Sequence, residues 1–329
     1  MAKIVCLGSA LQDVYMRDKD DFVETVVDGR KIFGKLELGD KVDVDEVKFS
    51  IGGGGTNIAV GLARGGHKVF FMGTTSHDLA GGMVLEMLAA ERVNIDYMNS
   101  TREKKTGYSV VLLAPSGERT ILTYRGASQD FSGISLKDFK SIKPDWLSAT
   151  TVYGDMDLLK KLFTYCRESG IKIMWNPGKA ELAKRKEALG LLKYVDVLLV
   201  NRQEAGLLLG VGREIELKKA AAELDGICDI AIITDASKGL MGARDGKLYR
   251  LGLYEDVKVV DTTGAGDAFG SGFLTEFAQT GDLEKALVYG SANSTSVIQK
   301  IGAKDGLIKR RGARIKSMKV EEISWEKKK

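Results

Sequence analysis

The sequence predicts an α/β protein, with a mainly parallel central sheet flanked by helices and a small β-sheet lid. Three observations carry that prediction. Short apolar runs alternate with helix-length amphipathic segments, the rhythm of βαβ units. Glycine-rich segments stand directly before two of the helical patterns. Two further stretches alternate apolar and polar residues with a period of two and fall outside that rhythm.

In chain order, Ile4–Gly8 is a short apolar run closed by glycine and reads as a buried first strand. Asp13 follows just past its carboxyl end, the edge where open α/β sheets place ligands. From Met16 to Ser50 the chain is charged, and Lys41–Phe49 alternates like a half-exposed strand. Gly107–Leu113 and Arg119–Tyr124 alternate likewise and are joined across Pro115-Ser116-Gly117, a hairpin signal. Together these segments, about residues 14–51 and 106–127, form a small sheet over a site. The remainder reads as strand Lys68–Met72, helix Asp78–Arg92, helix Asp155–Ser169, then strands Ile171–Trp175, Val195–Val200 and Ile230–Thr234. A helix beginning around Gly264 buries Phe269, Phe273, Leu274 and Phe277, and another runs from Leu283 to Gln299.

Composition narrows the function. Only three prolines and no low-complexity segment leave nothing to serve as a flexible linker, so residues 1–329 are expected to form a single domain. The net charge of +4 is spread along the chain, so no nucleic-acid partner is expected. No apolar run reaches the ~18 residues of a membrane span, and the first residues lack a leader pattern, so no membrane partner is expected either. Cys6, Cys166 and Cys228 are far apart and odd in number, which argues against a disulfide framework and fits a reducing cytoplasm. Two histidines, His67 and His77, are too few for a His-rich zinc site. Chemistry is left to carboxylates, backbone amides and bound ions.

The segment Asp261–Gly272, DTTGAGDAFGSG, is the strongest signal. Small residues before a helix leave its first N–H groups open at the positive end of the dipole, so the amides of Gly264, Ala265 and Gly266 can hold a phosphate. Asp267 falls in the first turn, next to that cradle, as phosphoryl transfer to an alcohol requires. The dipole should keep Asp267 ionised and weakly basic, so that it takes the proton late. A carboxylate that merely complements the dipole would stand at the same place. Gly52-Gly53-Gly54-Gly55 before Asn57 allows close backbone approach to a polar ligand, though a glycine run before a helix is also an ordinary turn. Asn201 and Glu204 follow the strand ending at Val200; Glu204 there can hold Mg²⁺ through water, and the same spacing fits a capping box. No G-x-x-x-x-G-K-[ST] run exists, and the Gly264 segment lacks the spacing of a dinucleotide fingerprint.

On these residues the chain resembles the ribokinase-like, or PfkB-type, carbohydrate kinases. Asp261–Leu274 matches that family's carboxyl-terminal signature, and Gly52-Gly53-x-Gly55-x-Asn57-x-Ala59 its amino-terminal one. The resemblance continues through Gly117-Glu118-Arg119-Thr120 to Gly302-Ala303, with Ser76 and Ala236 standing where glycine is common. It implies a ribokinase-like fold and transfer of the γ-phosphoryl group of ATP to a sugar hydroxyl, with Asp267 as base and the amides of residues 264–266 as anion hole. It assigns Asp13, Gly53, Gly54, Asn57, Asp155 and Asp267 to the acceptor, and Asn201, Thr234, Ser237, Gly239, Gly264, Gly266 and Asn293 to the nucleotide. Glu204 is implied on the Mg²⁺ side, with Asp261 and Thr263 beside a monovalent cation, K⁺. The lid is implied as a homodimer interface. A nucleoside kinase of the same fold and a non-catalytic ligand-binding relative are the competing readings; the base beside a phosphate cradle argues against the second.

Overall fold

The computed structural model describes residues 1–17, 24–28, 31–35, 38–39, 41–113, 119–212, 215–310 and 315–325. Its centre is a nine-stranded sheet. Six strands run parallel in the spatial order Lys68–Met72, Lys3–Leu7, Trp146–Ala149, Lys172–Trp175, Val197–Asn201, Ile230–Thr234. Three antiparallel strands, Leu240–Arg244, Lys247–Leu251 and Glu321–Ser324, extend it at one edge. In Lys3–Leu7, Val5 and Leu7 join the apolar cluster on one face, while Ile4 and Cys6 join the cluster on the other. That double burial is why the parallel strands read as continuous apolar runs and not as alternations.

The helix Ala265–Thr280 buries Phe269, Phe273 and Phe277 along one stripe, the last two rings stacked 5.3 Å apart. Trp146 meets Phe277 edge-on at 6.1 Å, which ties this helix to the sheet. The helix Leu283–Val297 packs against it, with Asp282 as N-cap.

A second sheet of four strands, in the order Arg119–Tyr124, Gly107–Leu113, Leu11–Arg17, Glu46–Gly52, begins four residues after the first central strand. The expected strand over Lys41–Phe49 is shifted to Glu46–Gly52, which pairs antiparallel with Leu11–Arg17. Asp13 sits within a strand of this sheet, opposite Ser50 and Ser109, and not in the turn that would make it a cap. The hairpin strands pair as expected from Leu113↔Arg119 outward; their turn, Pro115-Ser116-Gly117, lies outside the described residues. Asp78 and Asp155 are N-caps of their helices, one position before the first helical residue.

Candidate active site

The open cradle expected at the second glycine segment is present. Gly264 is the N-cap of Ala265–Thr280 in the left-handed region, φ 73°, with no side chain capping the helix. A Cβ at Gly264 would lie 2.3 Å from that of Ala303, whereas one at Gly266 would meet nothing within 4 Å. The two glycines therefore do different work: the first permits the turn and the approach of the loop after Ile301, and the second keeps the helix end open. Asp261, fully buried, braces that turn. Its Oδ1 accepts from the amide of Thr263 at 2.8 Å and from its hydroxyl at 2.6 Å, and its Oδ2 accepts from Gly302 N at 2.9 Å. Arg119, from the four-stranded sheet, donates to Thr262 Oγ1 at 2.5 Å and stands 3.8 Å from Asp261.

The first glycine segment meets the same point. Each glycine has a separate reason. A Cβ at Gly52 would strike the Asp13 carboxylate at 2.2 Å, Gly53 needs φ 97°, and one at Gly54 would sit 3.3 Å from Asp267 Oδ1. Asn57, in the first turns of the helix Gly54–Arg64, donates from Nδ2 to Asp267 Oδ2 at 2.7 Å. A further residue, absent from the sequence expectations, completes the cluster: Lys304, 5% exposed, donates from Nζ to Asn57 Oδ1 and to the carbonyl of Ile51. Tyr15 lies two residues beyond Asp13 on the same strand; its hydroxyl is buried with no hydrogen-bond partner among the described residues.

Burial dominates the electrostatics. It pushes the Asp267 carboxyl above the ordinary carboxylate range, opposed by the Asn57 hydrogen bond and the Lys304 charge. The expectation that the dipole alone holds Asp267 ionised is thereby corrected: desolvation raises its basicity, and two specific partners offset it. Asp13 is likewise raised by burial and drawn back by Lys304 and Ser109. Lys304 is pushed down to about 8, chiefly by burial, with Asp13 and Asp267 resisting.

Beyond Gly266 opens a cavity of about 600 Å³, lined by Thr234, Ser237, Gly239, Ala265, Gly266 and the apolar Leu253, Val257, Val259 and Ile298. It brings together four of the predicted nucleotide residues, Thr234, Ser237, Gly239 and Gly266. Ala236, also on its wall, has φ 43°, the left-handed conformation that explains why glycine is common at that place. Asn293 is not part of it. Its amide donates to Ala268 O and its Oδ1 accepts from Ile308 N, so it staples the last two helices and the tail together. Asn201 and Glu204 form the capping box: Asn201 Oδ1 accepts from Glu204 N, and Glu204 Oε2 from Asn201 N, both at 2.9 Å. Burial first, then the charge of Asp267, raises the Glu204 carboxyl. Asp155 is exposed, and its carboxylate accepts from Leu158 N as an N-cap. The sequence did not single out Lys304 because a lone lysine in a loop carries no pattern; only the fold brings it to Asn57.

The family model described as pfkB family carbohydrate kinase matches residues 1–310. Ribokinase of Haemophilus influenzae is 26% identical over 276 residues, covering 82% of this chain and 88% of that protein. Among solved structures, Arabidopsis thaliana ribokinase complexed with ribose and ATP superposes with a TM-score of 0.75 at 22% identity, over 94% of this chain and 96% of that one. Adenosine kinase from Sinorhizobium meliloti superposes with a TM-score of 0.76 at 21% identity, over 94% and 97%.

Proposed function

Because the chain belongs to the pfkB family of carbohydrate kinases, we propose that it transfers the γ-phosphoryl group of ATP to a hydroxyl of a sugar such as ribose or fructose, with Asp267 as general base. One observation carries this reading. Asp267 lies where the open end of Ala265–Thr280, the bare backbone of Gly54 and the Asn57–Lys304 pair converge, next to a cavity of nucleotide size.

Asn57 holds Oδ2 of Asp267, which leaves Oδ1, on the Gly54 side, to receive the acceptor proton. Its raised basicity suits that task. The amides of Gly264 and Gly266 can face the charge that develops on the transferring group, while that of Ala265 also donates to Thr262 O at 3.3 Å. Asp13 is the acceptor's anchor, a buried carboxylate that recognises paired hydroxyls, with Tyr15 beside it. Gly53 and Gly54 allow the acceptor to approach the backbone. Thr234, Ser237 and Gly239 take the nucleotide. Asp155 and Asn293, held in structural hydrogen bonds, are left out of these assignments.

Bound Mg²⁺ supplies charge neutralisation on the phosphates. Glu204 fits it through water: Oε2 is held by Asn201 N, while Oε1 has no hydrogen bond among the described residues. A monovalent cation, K⁺, would be held by backbone carbonyls of the Asp261–Thr263 and Gly302 loops, which the Asp261 side chain ties together through Thr263 and Gly302 N. The lid, about residues 14–51 and 106–127 within a single domain and built on the four-stranded sheet, closes over the acceptor and excludes water. Phe49, Leu122 and Tyr124 on it are each more than half exposed, which supports a homodimer through the lid. Three buried, free cysteines agree with a reducing cytoplasm.

The test is a panel of acceptors with ATP: ribose, fructose, a keto-deoxy sugar acid, adenosine and cytidine, read as phosphate ester formed. Turnover of a sugar is expected. Turnover of nucleosides alone would transfer the protein to the nucleoside kinases, and ATP binding without turnover of any acceptor would remove the catalytic role.

A further inference from the structure

We infer that Lys304 is a positioning residue for phosphoryl transfer: its ammonium fixes the amide of Asn57 so that Nδ2 points at Asp267, and thereby aims the base. The inference rests on the reading of Asp267 as base.

The backbone around Lys304 is held on two sides. Gly302 N donates to Asp261 Oδ2, and Ala303 packs against Gly264, so the loop is tied to the anion hole. On the other side the carbonyl of Lys304 accepts from Arg64 Nη1, and Arg64 is itself paired with Glu91. The side chain therefore has one way to go, inward, to the carbonyl of Ile51 and to Asn57. An ammonium can only donate. It must meet the oxygen end of the Asn57 amide, so the nitrogen end faces Asp267 Oδ2. With that oxygen held, the remaining one faces Gly54, where the acceptor enters. Reversing the amide would set two donors against each other at Lys304 and two acceptors at Asp267, which is why a residue that touches neither reactant controls the base.

The charged and titratable groups that face Lys304 are Asp13 on the strand Leu11–Arg17, Asp267 on the helix Ala265–Thr280, Arg64, and Glu91 at the end of the helix Leu79–Ala90. The net effect of burial against these groups is a lysine that deprotonates at about 8. Above that pH a neutral amine can accept as well as donate, and the amide is no longer fixed. Activity and stability then diverge. Turnover should fall as pH rises through about 8, while the fold gains stability between about 8 and 10.5, because there the unfolded chain binds the proton and the folded one does not.

The test compares Lys304→Met with the wild type. Expected is a loss in kcat of about 10²-fold at pH 7 with the KM for ATP unchanged, and disappearance of the alkaline limb that the wild type shows. A role confined to bracing the loop predicts a lower melting temperature with turnover within threefold and the alkaline limb intact; that result overturns the inference. A second arm needs neither turnover nor the Met variant to fold. The Nζ resonance of Lys304 is titrated by NMR in the wild type and in Asp267→Asn, with an expected midpoint near 8 that moves lower in the variant. A midpoint near 10.5, or one insensitive to Asp267, overturns the inference even if no acceptor is ever found; failure of the acceptor panel alone leaves this arm standing.

Discussion

Replacing Asp267 by asparagine removes the proposed base and, with it, one of the two carboxylates that face Lys304. The one hydrogen bond that holds the side chain, 2.7 Å from Asn57 Nδ2, can be accepted by the amide oxygen of the new residue, so the side chain keeps its place. Its other end, on the Gly54 side, becomes an NH₂ that cannot take a proton. Loss of a positioned base costs about 10²–10⁴ in turnover. The stability effect has the opposite sign. Burial raises the folded-state pKa of Asp267 above 3.8, so between 3.8 and that raised value the folded chain binds more protons than the unfolded one. Wild-type stability therefore falls as pH climbs through this window, and the neutral variant escapes the loss. At pH 7 the variant should melt at or above the wild-type temperature, and any advantage should vanish below 3.8, where both states are protonated. Coupled detection of ADP gives kcat, calorimetry gives ATP affinity, and thermal melts at pH 3.5–7 give the linkage. Turnover within tenfold of wild type would refute the assignment. So would a slow variant that has also lost ATP binding or melts lower at pH 7.

Four other substitutions separate the roles drawn above. Gly266→Val projects a side chain into open space at the helix end, so folding should be kept while kcat falls by about 10²-fold, roughly 3 kcal/mol for a blocked amide donor. Gly264→Ala forces φ 73° on a Cβ that would stand 2.3 Å from Ala303, so it should lower urea-unfolding stability by roughly 2 kcal/mol. Asp13→Ala should raise acceptor KM by about 10²-fold with ATP KM within a few-fold; a lower melting point with acceptor KM unchanged would remove Asp13 from the acceptor site. Asn293→Leu breaks the staple to Ala268 and Ile308, so denaturant midpoints should drop by the equivalent of about 2 kcal/mol with the KM for ATP unchanged; a raised KM for ATP at full stability would return it to the nucleotide site.

The parallel core was legible because burial on both faces writes itself as unbroken apolar runs, and the last helices because Phe269, Phe273 and Phe277 repeat at helical spacing. Trp146–Ala149 was not, since WLSA is too short to show a period. Nor were the three antiparallel strands LMGAR, KLYRL and EEIS, in which glycine or charged residues break up any apolar run or clean alternation. The shift of the lid strand to Glu46–Gly52 was not legible either. Alternation over Lys41–Phe49 is a property of the segment, whereas a strand also needs a partner, and among the described residues the pairing with Leu11–Arg17 begins at Glu46.

The candidate site divides along a similar line. Gly264, Gly266 and Asp267 stand within four residues, so their relation to a helix end could be read from local rules. Asn201 and Glu204 obeyed local rules too well: the capping box that spacing allowed is the arrangement found, and it leaves Glu204 with a single free oxygen. Asn293 misled because an amide inside a helix looks the same whether it faces a ligand or a neighbouring carbonyl. Lys304 lay furthest from reach. It is 247 residues from Asn57, its neighbours Lys309 and Arg310 read as solvated surface, and burial of a lysine is improbable on composition alone. What makes that burial sustainable is the pair of carboxylates, Asp13 and Asp267, arriving from a lid strand and a core helix, neither within reach of any local pattern. A charge that is buried only because the fold brings two opposite charges to it cannot be inferred before the fold is known, and the geometry of the base depends on that charge.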